Sequence, residues 1–211
     1  KYDLYTSADS SLPDDERGRK NYHDTFVEEP WNGAEFILAK GAQSGIQALQ
    51  RYGGPRSIKG NMSKGWKTTL VPTMEAVEMY YTKNGLPLDV DPLTKDEDLY
   101  SVAPGDNTAR LHRNREPRFY AHLAFDGSIW WLKNGPSDSD ENTWTVKARV
   151  GGGQSRLGAY NYSVTGYWCK KLVNYKFKLT TGGSGFTAER YPWPELRLAD
   201  LYLLYAEALN E

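Results

Sequence analysis

ELRLADLYLLYAEALNE, residues 195–211, is the stretch from which the fold is read. It is rich in Leu and Ala, holds no Gly, and follows Pro192 and Pro194, which suit entry to a helix. Leu198, Leu201, Tyr202, Leu204, Tyr205 and Leu209 surround most of its circumference, so a helix over Glu195 to Glu211 needs partners on several sides. The chain offers few other long helices. It also opens at Lys1 without an initiating Met and stops at Glu211 in mid-pattern. The expectation is a piece of a longer protein, with the missing helical partners in the remainder.

Outward from that helix, Asn21 to Glu29 and Pro72 to Lys83 read as short helices, the second opened by Pro72 and stopped by Asn84-Gly85. Phe119 to Phe125 and Ser128 to Leu132 flank Asp126-Gly127, a pair that tolerates the positive φ of a two-residue turn, so a β-hairpin is expected there. Trp144 to Val150 and Gly166 to Leu179 are further β-like runs. Long irregular connections are expected over Gly41 to Gly65, Leu86 to Asn107, Asn134 to Asn142 and Thr180 to Pro194, and loops of that length usually carry function.

The 211 residues suit one domain with a real core, and 39% hydrophobic with 25% charged residues exclude whole-chain disorder. Twenty-six Lys and Arg against 27 Asp and Glu leave a net charge of -1, which supplies no general attraction to phosphate, and no local nucleic-acid patch stands out. Leu198 to Leu209 is broken by Asp200 and Glu207 and is too short for a membrane span of roughly 20 residues. Cys169 is the single cysteine, so no internal disulfide can form.

Motifs for catalysis or cofactors fail on inspection. Gly151 to Gly158 lacks the Gly-Lys-Ser/Thr of a phosphate loop, and Ser184 lacks the second Gly of a hydrolase elbow. His23, His112 and His122 have no metal-ligand spacing. Asp89 and Asp91 open like a calcium loop but meet Leu93 and Thr94 where the pattern needs a ligand and Gly. Asp138, Asp140 and Glu141 suit a solvated loop better than a calcium site. No cofactor, metal or catalytic residue is assigned, although paired carboxylates for glycoside cleavage stay open among the acids.

The unusual number is 13% aromatic residues, including 7 Trp and 15 Tyr, more than a core of this size requires. Rings with Asn, Asp and Arg neighbours suit sugars, whose apolar faces stack on aromatics while their hydroxyls bind planar polar groups. Successive strand residues point to opposite faces, so Trp130 and Trp131 are not both core if one face is solvated. Trp66, Trp130, Trp131 and Trp144, with Asn134 and Asn142 as hydroxyl partners, are the candidate ligand-binding residues. Trp193, between prolines, is expected to pack, and Arg118 to pair with a carboxylate.

Arg197 to Glu211 resembles the signature helix of the SusD/RagB family. Lys20-Asn21-Tyr22 with Phe26, Asn32 and Glu35-Phe36-Ile37 is similar to the family's Asn-Tyr…Asn-x-Glu-x-Ile stretch, and Pro72-Thr73 with Glu75-Ala76-Val77 to the helix that follows. Asn84 to Asp89 resembles the Gly-Leu-Pro-Ile segment, Arg115 to Tyr120 the Arg-Asp-Pro-Arg-Phe motif, and Thr165-Gly166-Tyr167 with Lys170 and Lys171 the Thr-Gly-Tyr…Lys element. The motifs occur in family order over nearly the whole chain.

The resemblance implies a mainly α, α+β fold: a variable ligand-binding portion over residues 1–194, with long loops, short helices and small β-hairpins, then residues 195–211 as the start of a mostly absent scaffold of tetratricopeptide type. It implies a non-enzymatic, surface-exposed outer-membrane lipoprotein, held by an N-terminal lipid anchor absent from this chain. Such a protein captures an oligosaccharide or polysaccharide and delivers it to a SusC-like TonB-dependent transporter. A peptide or other nutrient scaffold, and a glycoside hydrolase, are the alternatives. The family's motifs are structural, so its ligand residues do not carry over.

Overall fold

The computed structural model describes residues 2–6, 11–27, 35–41, 44–55, 70–131, 143–155, 163–179 and 186–211. In chain order the elements are α1 (Asp14–Val27), β1 (Phe36–Lys40), α2 (Ser44–Gly53), α3 (Met74–Glu78), a 3-10 turn (Arg110–His112), α4 (Pro117–His122), β2 (Leu123–Ala124), β3 (Ile129–Trp131), β4 (Thr143–Thr145), β5 (Trp168–Cys169), a second 3-10 turn (Lys170–Leu172), β6 (Lys178–Leu179), β7 (Phe186–Thr187), β8 (Trp193–Arg197) and α5 (Leu198–Asn210). Each described sheet is an antiparallel pair: β1 with β8, β2 with β5, β3 with β4, and β6 with β7. Short helices and small β-pairs are what the sequence leads one to expect. The described residues show no stacked helix pairs of tetratricopeptide type.

The β2–β5 pair divides two cores. Strand alternation sends Leu123 to one side, with Val77, Leu88, Leu111, Phe119, Phe125 and Tyr167. Ala124 and its partner Trp168 face the other side, with Trp130, Val146, Val173, Phe177 and Ala188. A third cluster joins Phe26 and Val27 of α1 to Tyr191. In α1, Gly18 brings the helix close to α4: a Cβ there would stand 3.4 Å from Pro117.

The expected hairpin about Asp126-Gly127 does not form. Residues 117–122 are helical, with Pro117 in the first turn, and Phe119 and Ala121 are the buried members. Over six residues, apolar alternation does not separate strand from short helix. Asp126-Gly127 still turns the chain, with the Ser128 amide donating to the Phe125 carbonyl at 3.0 Å and Gly127 at φ 82°. Of the pair only Gly127 has positive φ, whereas a type I′ hairpin turn needs it at both central residues. The Asp126 carboxylate instead accepts from the amides of Ala148 and Arg149 and pairs with the Arg149 guanidinium at 2.6 Å.

Three other boundaries move. The helix expected over Asn21–Glu29 begins two turns earlier, at Asp14, with acidic residues filling its first turn. α2 lies inside the connection expected to be irregular. The helix expected over Pro72–Lys83 is held to Met74–Glu78, capped by the Thr73 hydroxyl. It ends because the Arg115 guanidinium takes the carbonyls of Val77 and Tyr80. Gly85, at φ 73°, lies in the turn that follows.

The terminal helix begins at Leu198 rather than Glu195, because Glu195–Arg197 belong to β8, whose Leu196 and Arg197 pair with β1. The Arg197 amide donates to Asp200 at 2.8 Å, the Leu198 amide to the Glu35 carbonyl at 2.8 Å, and the Arg197 guanidinium reaches the Glu35 carboxylate at 3.4 Å. No residue of α5 is buried, and Leu203 and Leu209 are each 70% exposed. A helix of 13 residues that is tied to the rest of the described residues at its first turn and exposed from Leu201 onward is marginal in water. In the 211-residue chain, amides of Leu201–Asn210 are expected to exchange hydrogen orders of magnitude faster than those of Ala124 and Trp168. Equal protection in a mass-spectrometric exchange course would refute this.

Candidate functional site

Several residues that carry the family resemblance meet one another in the structure, and their roles are structural. The Thr165 hydroxyl donates to the Pro72 carbonyl at 2.9 Å, Tyr167 meets His112 Nε2 at 2.6 Å, and Glu35 anchors the start of α5. Arg118 pairs bidentately with Glu116 at 2.7 and 2.8 Å, as its placement led one to expect. Asp91 is engaged by donors of the fold itself. Its buried carboxylate accepts from the Thr82 hydroxyl, the Leu93 amide and Asn84, and those bonds hold it below the usual carboxylate range. Among the described residues no group of three or more His, Cys, Asp or Glu is placed to hold a metal.

The predicted aromatic site is only partly visible. Trp66, Asn134 and Asn142 lie outside the described residues. Trp131 and Trp144 belong to the β3–β4 ladder, and their side chains lie outside the described residues. Trp130 stands opposite Trp144 in that ladder and is 1% exposed, inside the core with Trp168. A stacking platform needs an open ring face, so in this structure Trp130 is the core member of the Trp130–Trp131 pair. Trp193 packs edge to face on Phe26 at 5.2 Å.

The described residues form a cavity of about 760 Å³, within the usual size range of small-molecule sites. It is lined by Glu16, Arg19, Lys20, His23 and Asp24 of α1, by Tyr120 of α4, by residues of the Phe125–Ile129 turn, and by Lys170 and Tyr175. No local motif announces it, because its walls come from three distant parts of the chain. Lys20, Tyr120 and Lys170 do fall in stretches that carry the family resemblance.

Its polar groups are arranged in two sets. Asp24 Oδ2 accepts from Lys20 at 2.5 Å and Oδ1 meets His23 Nδ1 at 3.1 Å, while His23 Nε2 donates to the Val173 carbonyl at 2.9 Å. Burial alone would push the Asp24 carboxyl up, but His23 and Lys20 more than reverse this and hold it below the usual range. Asp24 is therefore a fixed anion and unsuited to act as a general acid.

The second set is cationic. The Arg19 guanidinium lies 4.3 Å over the Tyr120 ring, and its Nε is buried without a hydrogen-bond acceptor among the described residues. Lys170 is buried, with Nζ donating to the Ile129 carbonyl at 3.2 Å. Burial, and then the Arg19 charge, push its ammonium down to about 8. With the unfolded value near 10.5, the unfolded chain binds more protons between these values, so stability rises with pH across that window. At neutral pH, keeping Lys170 charged in the fold costs about 3 kcal/mol.

Comparison with known proteins follows from this architecture. A model of the SusD family matches residues 34–211. Among solved structures, BT4246 superposes with a TM-score of 0.70 at 22% identity, covering 96% of this chain and 35% of that one. Its selenomethionine form gives 0.70 at 21%, covering 96% and 36%. A SusD-like protein, BF3747, from Bacteroides fragilis NCTC 9343 gives 0.62 at 21%, covering 88% and 34%. The chain thus spans about a third of the length of these structures. No curated protein matches it. The ordered motifs, the fold and the family match agree: the chain belongs to the SusD family.

Proposed function

We propose that the chain is the ligand-binding portion of a cell-surface lipoprotein that captures an oligosaccharide and passes it to a SusC-like TonB-dependent transporter in the outer membrane. The observation that carries this reading is membership of the SusD family, a family of nutrient-binding proteins, over residues 34–211. The aromatic excess supports a sugar as the nutrient, because rings stack on sugar faces. Asp24, a buried carboxylate of the cavity, is held ionised and so does not supply the general acid that glycoside hydrolysis needs. No helix of the described residues is long and apolar enough to cross a membrane.

Trp66, Trp131 and Trp144 are the stacking residues in this reading, with Asn134 and Asn142 binding hydroxyls. Trp130 is left out because truncating a buried Trp costs about 3–5 kcal/mol of stability and would confuse folding with binding. Isothermal titration of the full-length protein against plant and host oligosaccharides, with peptides included, tests the reading. Binding to one glycan class is expected, weakened by about 1–3 kcal/mol per ring in Trp66→Ala, Trp131→Ala and Trp144→Ala. Undiminished binding in the triple variant would move the site elsewhere; binding of peptides alone would replace the sugar.

A further inference from the structure

We propose that Tyr100 is the platform of a sugar subsite: a neutral pyranose residue stacks on its exposed ring while hydroxyls of that residue donate to the Glu78 and Asp89 carboxylates. The choice of a sugar rests on the glycan-capture reading above; the choice of place rests on the surface itself. A second cavity, of about 410 Å³, opens beside the end of α3, in the size range of small-molecule sites. It is formed largely by the Leu86–Asn107 connection, one of the long irregular stretches expected to carry function.

This connection is well anchored. Leu88 is buried, and Leu99 packs on the cluster of Val77, Leu111 and Phe119. The Leu99 carbonyl accepts from the Leu111 amide at 2.7 Å, and the Ser101 carbonyl from the Arg110 amide at 3.0 Å. Tyr100, between them, nevertheless leaves its side chain outside, and the residue is 63% exposed. Its amide donates to Asp98 at 3.3 Å and its hydroxyl to the Glu78 carboxylate, so both ends of the residue are held. The Glu78 bond, ahead of burial, pushes the phenol up, and the hydroxyl stays a donor at physiological pH. A ring held in this way gives up little conformational entropy when a ligand lies on it. Met79, which follows α3, is 74% exposed and adds apolar surface to the same cavity.

The polar groups select the ligand. A pyranose has apolar C–H faces and a rim of hydroxyls, so it matches an aromatic ring flanked by acceptors. A carboxylate offers about four lone-pair sites, so Glu78 accepts from Tyr100 and from a sugar hydroxyl together. Of the three acids that line the cavity, Glu97 is paired with Arg110, while Glu78 and Asp89 outnumber the lining cation, Lys95. That balance disfavours a sugar carrying a carboxylate of its own.

A tyrosine kept only to tie the connection to α3 would leave ligand affinity unchanged when removed. Two substitutions separate the roles: Tyr100→Phe removes the tie and keeps the platform, whereas Tyr100→Ala removes both. The ring is largely exposed, so neither change threatens the fold, and circular dichroism checks this.

The test is calorimetry of the full-length protein with maltohexaose, cellohexaose and mannohexaose, with each of these after oxidation of a C6 hydroxyl to a carboxylate, and with choline. One neutral hexasaccharide is expected to bind, and its oxidised form to bind a few-fold more weakly. Tyr100→Ala is expected to lose about tenfold or more for the neutral sugar, and Tyr100→Phe no more than about threefold. Glu78→Gln should narrow the gap between the neutral and oxidised forms.

Undiminished sugar binding in Tyr100→Ala would overturn the subsite and leave glycan capture standing. Binding of none of the sugars would overturn both. Equal binding of the neutral and oxidised forms would overturn the assigned selectivity. Choline binding that is lost in Tyr100→Ala, with sugar binding unaffected, would replace the sugar at this ring by an organic cation.

Discussion

Replacing Arg115 by Met is expected to lower the free energy of unfolding by about 3–5 kcal/mol, a large part of the 5–15 kcal/mol typical of a domain. Arg115 is 2% exposed and meets no carboxylate in the described residues. Its Nη1 donates to the Leu111 carbonyl at 2.8 Å, its Nη2 to those of Val77 at 2.9 Å and Tyr80 at 2.6 Å, and its Nε to that of Tyr81 at 3.4 Å. The guanidinium plane lies 4.5 Å from the Phe119 ring centre. One side chain thus closes the end of α3, ties it to the 3-10 turn, and seats it on α4. Burial disfavours the charge, and four carbonyl bonds with a ring face offset this. Met would leave those carbonyls without a donor in a dry site. Arg115→Lys should recover less than half, since an ammonium cannot span acceptors spread over a plane. Urea unfolding of the three proteins decides it: a loss below about 1 kcal/mol for Arg115→Met would mean the carbonyls find other donors.

How much of this was readable beforehand depends on the range of the interaction. The terminal helix, the turns at Gly85 and Gly127, and the Arg118–Glu116 pairing are local, and the sequence indicates each of them. Where α3 stops is not local, because Arg115, more than thirty residues away, takes the carbonyls that a longer helix would have used. The start of α5 is set likewise by Glu35 and β1, on the far side of the chain. The false hairpin at Asp126 came from a period-two pattern in Phe119, Ala121, Leu123 and Phe125 that a short helix followed by a strand satisfies equally. For the candidate site, alternation in β3 leaves open which of Trp130 and Trp131 is core, and the burial of Trp130 is set by its packing with Trp168. Arg19 and Lys170 carry no mutual signal, since α1 and the Lys170 turn meet only through tertiary contacts such as His23 with Val173.

Between pH 7 and pH 4.5 the protein is expected to lose several kcal/mol of stability through two histidines, before its carboxylates titrate. His112 is buried, meets Thr108 through Nδ1 and Tyr167 through Nε2, and lies 4.3 Å from the Phe125 ring centre. Burial, then the Arg115 charge, hold its imidazole down at about 3. His122 meets the Tyr80 hydroxyl at 3.1 Å, and burial, then Lys171, Arg118, His23 and Arg197, hold it at about 3 as well. The unfolded value is near 6.5 for each. Between 3 and 6.5 the unfolded chain therefore binds more protons, and the stabilisation is complete above 6.5 and falls away towards 3. At pH 5 each histidine has given up about 2 kcal/mol.

Asp24 and Asp91, held below their ordinary value of 3.8, act in the same direction but only below that pH, so the two windows separate. Urea midpoints at pH 7, 5.5 and 4.5 measure the loss in the histidine window. Carrying both His112→Gln and His122→Phe should lower stability at pH 7 and flatten the profile above pH 4.5. A wild-type profile already flat from 7 to 4.5 would mean that the protonated rings are accommodated, and that the Thr108–His112–Tyr167 network does not require a neutral imidazole.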